Sequence, residues 1–264
     1  MSWRIGSTSF LGVLLVMLGA SSGIQAQGAA QMYSTITVEV KPGMNAQFEE
    51  FVGKLKAAAE QTNSSFRWLA SQSVSGNPVY SFSRPFGSFA ALGEAGPDLA
   101  KVYGAAESAR LLGLLQASTT NESTTIYVAR PDLSRPAPAA AGAAAAAPVA
   151  VLFVDLAVRP GKEQSFEEYV KKLIVAVNAK SPTQYWTTRQ RSFGPGNTPG
   201  YRVVVTFQKW ADLDTPPKPM QQTLVEQYGA TEGARLEALS NDAVQGVTQR
   251  LNRVRADLGR PPTN

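Results

Sequence analysis

Residues 38–55 (VEVKPGMNAQFEEFVGKL) return at residues 156–173 as LAVRPGKEQSFEEYVKKL, and residues 103–111 (YGAAESARL) return at residues 228–236 as YGATEGARL. The offset between matched positions is 118 at Pro42/Pro160, Phe48/Phe166 and Trp68/Trp186. It becomes 121 at Tyr80/Tyr201 and Phe86/Phe207, then 125 at Tyr103/Tyr228 and Arg110/Arg235. Two insertions in the second copy account for the drift: residues 194–200 (GPGNTPG) and residues 214–219 (DTPPKP). Gaps confined to Pro/Gly-rich turns leave the elements between them intact, so the expectation is one folding unit present twice.

Ahead of the repeat, Arg4, the short apolar run 10–20 (FLGVLLVMLGA) and residues 21–26 (SSGIQA) have the layout of a secretory signal cleaved near Ala26. The run is well short of the ~20 apolar residues of a membrane span. An exported mature chain, periplasmic or secreted and without a transmembrane span, is therefore expected. The expected organisation is residues 1–26 signal peptide, 31–133 first unit, 134–149 linker, 150–258 second unit and 259–264 tail.

Cysteine and histidine are both absent. The first absence removes disulfides, thiol nucleophiles and thiolate metal sites. The second removes Ser-His-Asp triads, His-ligated haem and zincin-type zinc sites. No metal and no cofactor is expected. The net charge of +5 is uneven: residues 31–133 hold 8 Lys+Arg against 9 Asp+Glu, and residues 150–264 hold 15 against 11. Arg250, Arg253, Arg255 and Arg260 crowd the C-terminus. Such a cluster suits an anionic surface, and the plainer account is a solvated basic strand and tail. An exported chain with no nucleic-acid motif is not expected to bind nucleic acid.

Within the first unit, residues 33–40 alternate as a strand. Phe48, Val52, Leu55 and Ala59 line one helical face. Residues 66–74 and 79–86 pair across Ser75-Gly76-Asn77, residues 99–115 form a second helix, and residues 123–129 close the unit. The second unit repeats the order with strands at 151–158, 185–191 and 201–207 and a helix at 226–239. Its last segment, residues 244–258, has spacing that suits a helix as well. It is assigned to a strand because Arg255-Ala256-Asp257-Leu258 matches Arg130-Pro131-Asp132-Leu133. The predicted fold is α+β, two ferredoxin-like β-α-β-β-α-β units joined by a semi-extended Ala/Pro linker, SRPAPAAAGAAAAAPV.

A strand ending in Val-x-Pro-Gly, a helix bearing Phe-Glu-Glu-[Phe/Tyr] and a Trp-bearing strand resemble the dimeric α/β-barrel superfamily, including antibiotic-biosynthesis-monooxygenase-like and NIPSNAP-like domains. The match is carried by residues 40–43 with 48–51, residues 158–161 with 166–169, Trp68 and Trp186, and Phe86/Phe89 with Phe207/Trp210. The resemblance implies a four-stranded antiparallel sheet per unit, two such sheets forming one barrel with helices outside. Here one chain supplies both, which implies a monomer acting as a pseudo-dimer. In cofactor-free oxygenases of this resemblance an aromatic-lined cavity with Trp, Asn, Tyr and Arg holds a phenolic substrate.

Asn63, Trp68, Arg84 and Arg110 are the candidate ligand-binding residues on that basis. Set against this, Trp68 and Trp186 suit a packed core, and Tyr103/Glu107/Arg110 with Tyr228/Glu232/Arg235 suit a structural ion pair over a packed tyrosine. Glu49-Glu50 and Glu167-Glu168 point about 100° apart on a helix and are assigned to its start. The leading functional expectation is a non-catalytic exported domain binding a small apolar or aromatic ligand. A cofactor-free monooxygenase comes second and an envelope-surface interaction protein third. Any site is expected in the first copy alone, because matched polar positions have diverged: Arg84 faces Val205, Phe66 faces Gln184 and Ala70 faces Thr188.

Overall fold

The computed structural model describes residues 31–93, 96–137, 147–181, 183–196 and 198–261. The proposed signal peptide lies outside the described residues, as does most of the linker. The first half runs β1 (Met32–Val40), α1 (Asn45–Gln61), β2 (Leu69–Ser73), β3 (Val79–Phe86), a 3-10 turn (Phe89–Gly93), α2 (Leu99–Tyr103), α3 (Ala105–Ser118) and β4 (Thr119–Ala129). The second runs β5 (Ala150–Val158), α4 (Glu163–Lys180), β6 (Thr187–Phe193), β7 (Gly200–Phe207), a 3-10 turn (Trp210–Leu213), α5 (Met220–Tyr228), α6 (Ala230–Ala243) and β8 (Val244–Val254).

All eight strands pair antiparallel and close on themselves in the order β1-β3-β2-β8-β5-β7-β6-β4. The halves meet at two short ladders, β2–β8 (Ser71↔Val254 to Ser73↔Asn252) and β4–β6 (Ile126↔Phe193 to Ala129↔Arg189). Period-2 alternation sends one side of each strand to the helices and the other into the ring. From β1, Ile36, Val38 and Val40 join Phe48, Phe51 and Val52 of α1 in the first-half core. Phe48 is 1% exposed and stacks at 4.7 Å on Tyr80, and Phe166 repeats this at 4.6 Å on Tyr201. Burial of each phenyl ring contributes roughly 2–3 kcal/mol.

Two departures from the sequence expectation have local causes. The second helix of each unit is broken in two, because Gly104 (φ +82) and Gly229 (φ +83) end one helix in left-handed backbone and start the next. Trp68 and Trp186 lie just ahead of β2 and β6, in single bridges to Arg260 and Arg135. The ambiguous last segment is strand over Val244–Val254, paired with β5 along its length from Val158↔Val244 to Ala150↔Arg253. That long partner overrides the helical spacing.

Gly104→Ala is expected to destabilise by about 1 kcal/mol, since a Cβ at φ +82 is strained even in open space. Gly113, exposed within α3 at ordinary backbone angles, gives the opposite sign: Gly113→Ala stabilises by about 0.5–1 kcal/mol. Urea midpoints of the two variants decide the matter, and equal shifts would refute the backbone argument.

Candidate functional site

Two arginines lock the halves together, each reaching from its own half into the other. Arg255, just beyond β8, donates Nη1 to Glu49 Oε1 on α1 (2.5 Å) and to Gln72 Oε1 on β2 (2.8 Å), and Nη2 to Asp257 Oδ2 (2.6 Å). Tyr80 donates its hydroxyl to the same Glu49 oxygen at 2.5 Å. Arg130, just beyond β4, mirrors this in the second half. Its Nη1 donates to Glu167 Oε1 (2.5 Å) and Gln190 Oε1 (2.9 Å) and its Nη2 to Asp132 Oδ2 (2.8 Å), and Tyr201 donates to Glu167 (2.8 Å). The aspartate two residues on turns each fork towards its target.

The residues after each arginine complete the opposite core. Leu258 packs in the first-half core and its carbonyl accepts from Trp68 Nε1 (2.9 Å). Leu133 packs in the second-half core and its carbonyl accepts from Trp186 Nε1 (3.0 Å). Arg260 then donates to the carbonyl oxygens of Ser64 and Phe66, and Arg135 to that of Gln184.

Electrostatics pin these groups in one state. The Arg255 guanidinium holds Glu49 below the usual carboxylate range, and the Arg130 guanidinium does the same to Glu167. Asp257 and Asp132 are lowered by the same arginines. Burial, then the carboxylate beside each hydroxyl, pushes Tyr80 and Tyr201 well above the ordinary tyrosine range. No member of either clamp is poised to move a proton near neutral pH.

A groove of about 550 Å³ opens over the first clamp, lined by Asn45, Glu49, Gln72, Arg253, Arg255 and Asp257. Asn45 Oδ1 is buried there without a hydrogen-bond partner. Over the second clamp, Lys171 Nζ lies 3.7 Å from Asp132 and 4.0 Å from Glu167. The residue in register with Lys171 on α1 is Gly53. At the first clamp the lysine that comes near is Lys56, whose Nζ donates to the Asp257 carbonyl oxygen (3.1 Å) rather than to a carboxylate. The second clamp also borders a groove, of about 790 Å³, which Glu167, Glu168, Lys171 and Tyr228 line.

The structure separates the four sequence candidates. Trp68 is 3% exposed, with Phe66 at 5.7 Å from its ring, and the Arg84 guanidinium stacks on that Phe66 at 4.4 Å. Arg84 also donates to Ala91 O (2.8 Å). These two share one neighbour. Asn63 sits in left-handed backbone (φ +48) in the turn after α1, its N–H donating to Glu60 O. Arg110 is on the exposed outer side of α3, forked onto Glu107 (2.7 and 2.8 Å) and reaching Glu50 (2.5 Å). Arg235 repeats that arrangement with Glu232 and Glu168. The adjacent carboxylates Glu49 and Glu50 accordingly serve different arginines.

Arg130, Arg255, Gln72 and Gly53 were missed as site residues. The signal was present for the arginines: Arg-x-Asp-Leu-x-Arg occurs at 130–135 and again at 255–260. Among the described residues no group of three or more carboxylates is placed to hold a metal ion.

No family model and no curated protein matches the chain. Solved structures similar to it include an anthrone oxidase-like protein, 14% identical, covering 88% of this chain and 94% of its own at a TM-score of 0.49. A proposed monooxygenase from Lactobacillus acidophilus NCFM is 8% identical, covering 85% and 94% at 0.47. Chlorite dismutase from Candidatus Nitrospira defluvii is 8% identical, covering 87% and 93% at 0.46.

Arg255→Ala and Arg130→Ala are each expected to destabilise by about 3 kcal/mol, because the carboxylate left behind is partly buried and unpaired. Since Glu49 and Glu167 have depressed pKa values when folded, their contribution is complete above the unfolded value of about 4.3 and is lost as pH falls through the folded value. Denaturant midpoints between pH 7 and 3 should therefore drop steeply at the acid end, and Glu49→Gln should flatten that drop. An unchanged acid limb in the variant would exclude the clamp as its source.

Proposed function

We propose that this chain is an exported, non-catalytic binding domain. In this proposal a tandem duplication folds into one intramolecular α/β barrel, and a single ligand groove lies on its first half. The observation that carries it is the difference between the two clamp grooves: Lys171 lies against the carboxylates in the second, while Gly53 places no side-chain cation against those of the first. Packing constrains both halves alike, whereas one binding site needs its open form only once.

The lining favours a small polar ligand. Arg253, exposed, donates a 3.2 Å bond to Gln72, and Asn45, Glu49, Gln72 and Asp257 give the rest of the lining a polar character. The apolar or aromatic ligand expected around Asn63, Trp68, Arg84 and Arg110 meets side chains already engaged with one another or with backbone. Absence of catalysis is supported by the titratable groups of the groove: Glu49 and Asp257 are held low, Tyr80 and Arg255 high. The C-terminal arginines do not form a basic patch. Arg255 and Arg260 are bonded inside the fold, Arg250 lies on the inner side of β8, and only Arg253 of the four is exposed.

The test is a saturation-transfer NMR screen of small polyols, zwitterions and amides against wild type and Gly53→Lys. A Cβ at Gly53 meets nothing within 4 Å, so the variant is expected to fold and to place a lysine against Glu49 and Asp257 as Lys171 lies against Glu167 and Asp132. Hits that vanish in Gly53→Lys support the proposal. Hits indifferent to it, or oxygen uptake with hydroxyanthrone-type phenols, overturn it in favour of another site or the monooxygenase alternative. The mature chain is further expected to sediment with the mass of one chain, since β2–β8 and β4–β6 already satisfy the edges a second chain would pair. A mass of two chains at micromolar concentration would count against that.

A further inference from the structure

The inside of the strand ring is rich in arginine and poor in carboxylate. Arg189 on β6 reaches Ser83 Oγ on β3 (3.2 Å) and lies over the Tyr33 ring of β1 (3.6 Å). Neither strand neighbours β6 in the ring, so these contacts cross its interior. Arg202 on β7 sits between the rings of Tyr127 and Phe153, each at 4.8 Å. Arg189 and Arg202 are directly opposed cross-strand partners, and Arg250 on β8 is opposed to Phe153 on β5. Three guanidinium groups therefore share one interior.

Two carboxylates face the three arginines: Asp155, which also acts on Arg250, and Glu39 at the exposed end of β1, which acts on Arg250 as well. Asp155 takes a fork from Arg202 at 2.7 and 2.8 Å. For Arg189 the side-chain acceptor is the neutral Ser83 hydroxyl, and burial with Arg202 alongside pulls its pKa down to about 10. Burial and the same neighbour lower Arg250. An unpaired cation in a partly dry interior is costly. A second, independent observation lies on the same inner side: the Ser81 hydroxyl (residue 2% exposed), which could donate to an anion, is buried without a partner. Buried polar atoms are otherwise satisfied, so orphans mark places for a bound water or ligand. Arg189 and Arg250 each keep some solvent exposure, which gives a small ion a way in.

We propose that the ring interior is an anion site, in which Arg189 and Arg250 hold a small oxyanion, a carboxylate or a phosphate-type ion. Planar guanidinium edges match such oxygens, and the aromatic rings already occupy the guanidinium faces. The site is separate from the groove over the first clamp and does not depend on it.

The experiment is a thermal-shift titration of the full chain with sodium phosphate, sodium sulfate, sodium acetate and sodium benzoate, each against sodium chloride at matched ionic strength. A saturable rise in Tm of about 5 °C at a hundredfold excess over Kd is expected for at least one oxyanion. The two inorganic and two carboxylate arms identify which source the site prefers. Arg189→Met should raise Tm in chloride, because an unpaired charge is removed, and should abolish the oxyanion increment. Arg250→Met is the second variant should the first fail to fold, and it should reduce the increment at least tenfold in apparent affinity. Equal shifts for every salt, or an increment unchanged in both variants, overturn the proposal.

Discussion

The exchange of Arg130 and Arg255 between halves is the constraint on which the remaining architecture depends. The two ladders that join the halves are short and expose few backbone pairs to one another. The residues just beyond each ladder fasten it: an arginine into the opposite clamp, a leucine into the opposite core, and a carbonyl onto the opposite tryptophan. Leu133 is 0% exposed and Leu258 5%, so each core is finished by a residue it does not own. Neither tryptophan nitrogen finds its partner within its own half. The closed ring is thus one cooperative unit, in the sense that removing either tail would leave a hole in the opposite core.

Those same bonds decide what the clamps can do. A carboxylate sharing an arginine and a tyrosine hydroxyl is stabilised as the anion, and the tyrosine beside it is stabilised as the neutral phenol. Here the carboxylate is held low and the neighbouring phenol high, so each keeps one protonation state across the neutral range. The order of the clamp is spent on holding two halves in register. The groove proposed for recognition lies beside it, where Arg253 is exposed.

Much of the fold was legible because burial writes a period into the chain. β1, α1 and β3 were legible from their apolar patterning, with the Phe48–Val52–Leu55 stripe marking α1, whereas the breaks at Gly104 and Gly229 were not, because a single glycine inside a helical pattern does not by itself announce a positive φ. The clamp was half legible. Arg-x-Asp-Leu-x-Arg could be seen to repeat, yet repetition does not say that the segment crosses to the other half. Trp68 and Arg84 share the neighbour Phe66, while Arg110 lies apart on an outer helix face, where an i,i+3 ion pair looks the same in sequence as a ligand clamp. The inner arginines were not legible at all. Arg189 and Arg250 sit in polar strand stretches and Arg202 alternates with Tyr201 and Val203, as solvent-facing strand residues do, and only closure of the ring turns that side inward.

Closure therefore has a consequence that no single half would have. A sheet with one side on helices can leave the other to water, and polar residues there cost nothing. When two such sheets close on each other, that wet side becomes an interior, and its charges must find partners within it. The first half brings hydroxyls to this interior (Thr35, Ser81 and Ser83) with Glu39 at its exposed end, and the second brings guanidinium groups with Asp155. Hydroxyls can accept from arginine but cannot neutralise it. The same asymmetry recurs outside, where Lys171 neutralises a clamp and Gly53 does not. Positions that hold the ring shut match between halves, and positions that carry its unbalanced charge do not. Recognition in such a molecule is then expected where the two halves differ, at the open clamp and inside the ring, rather than where they agree.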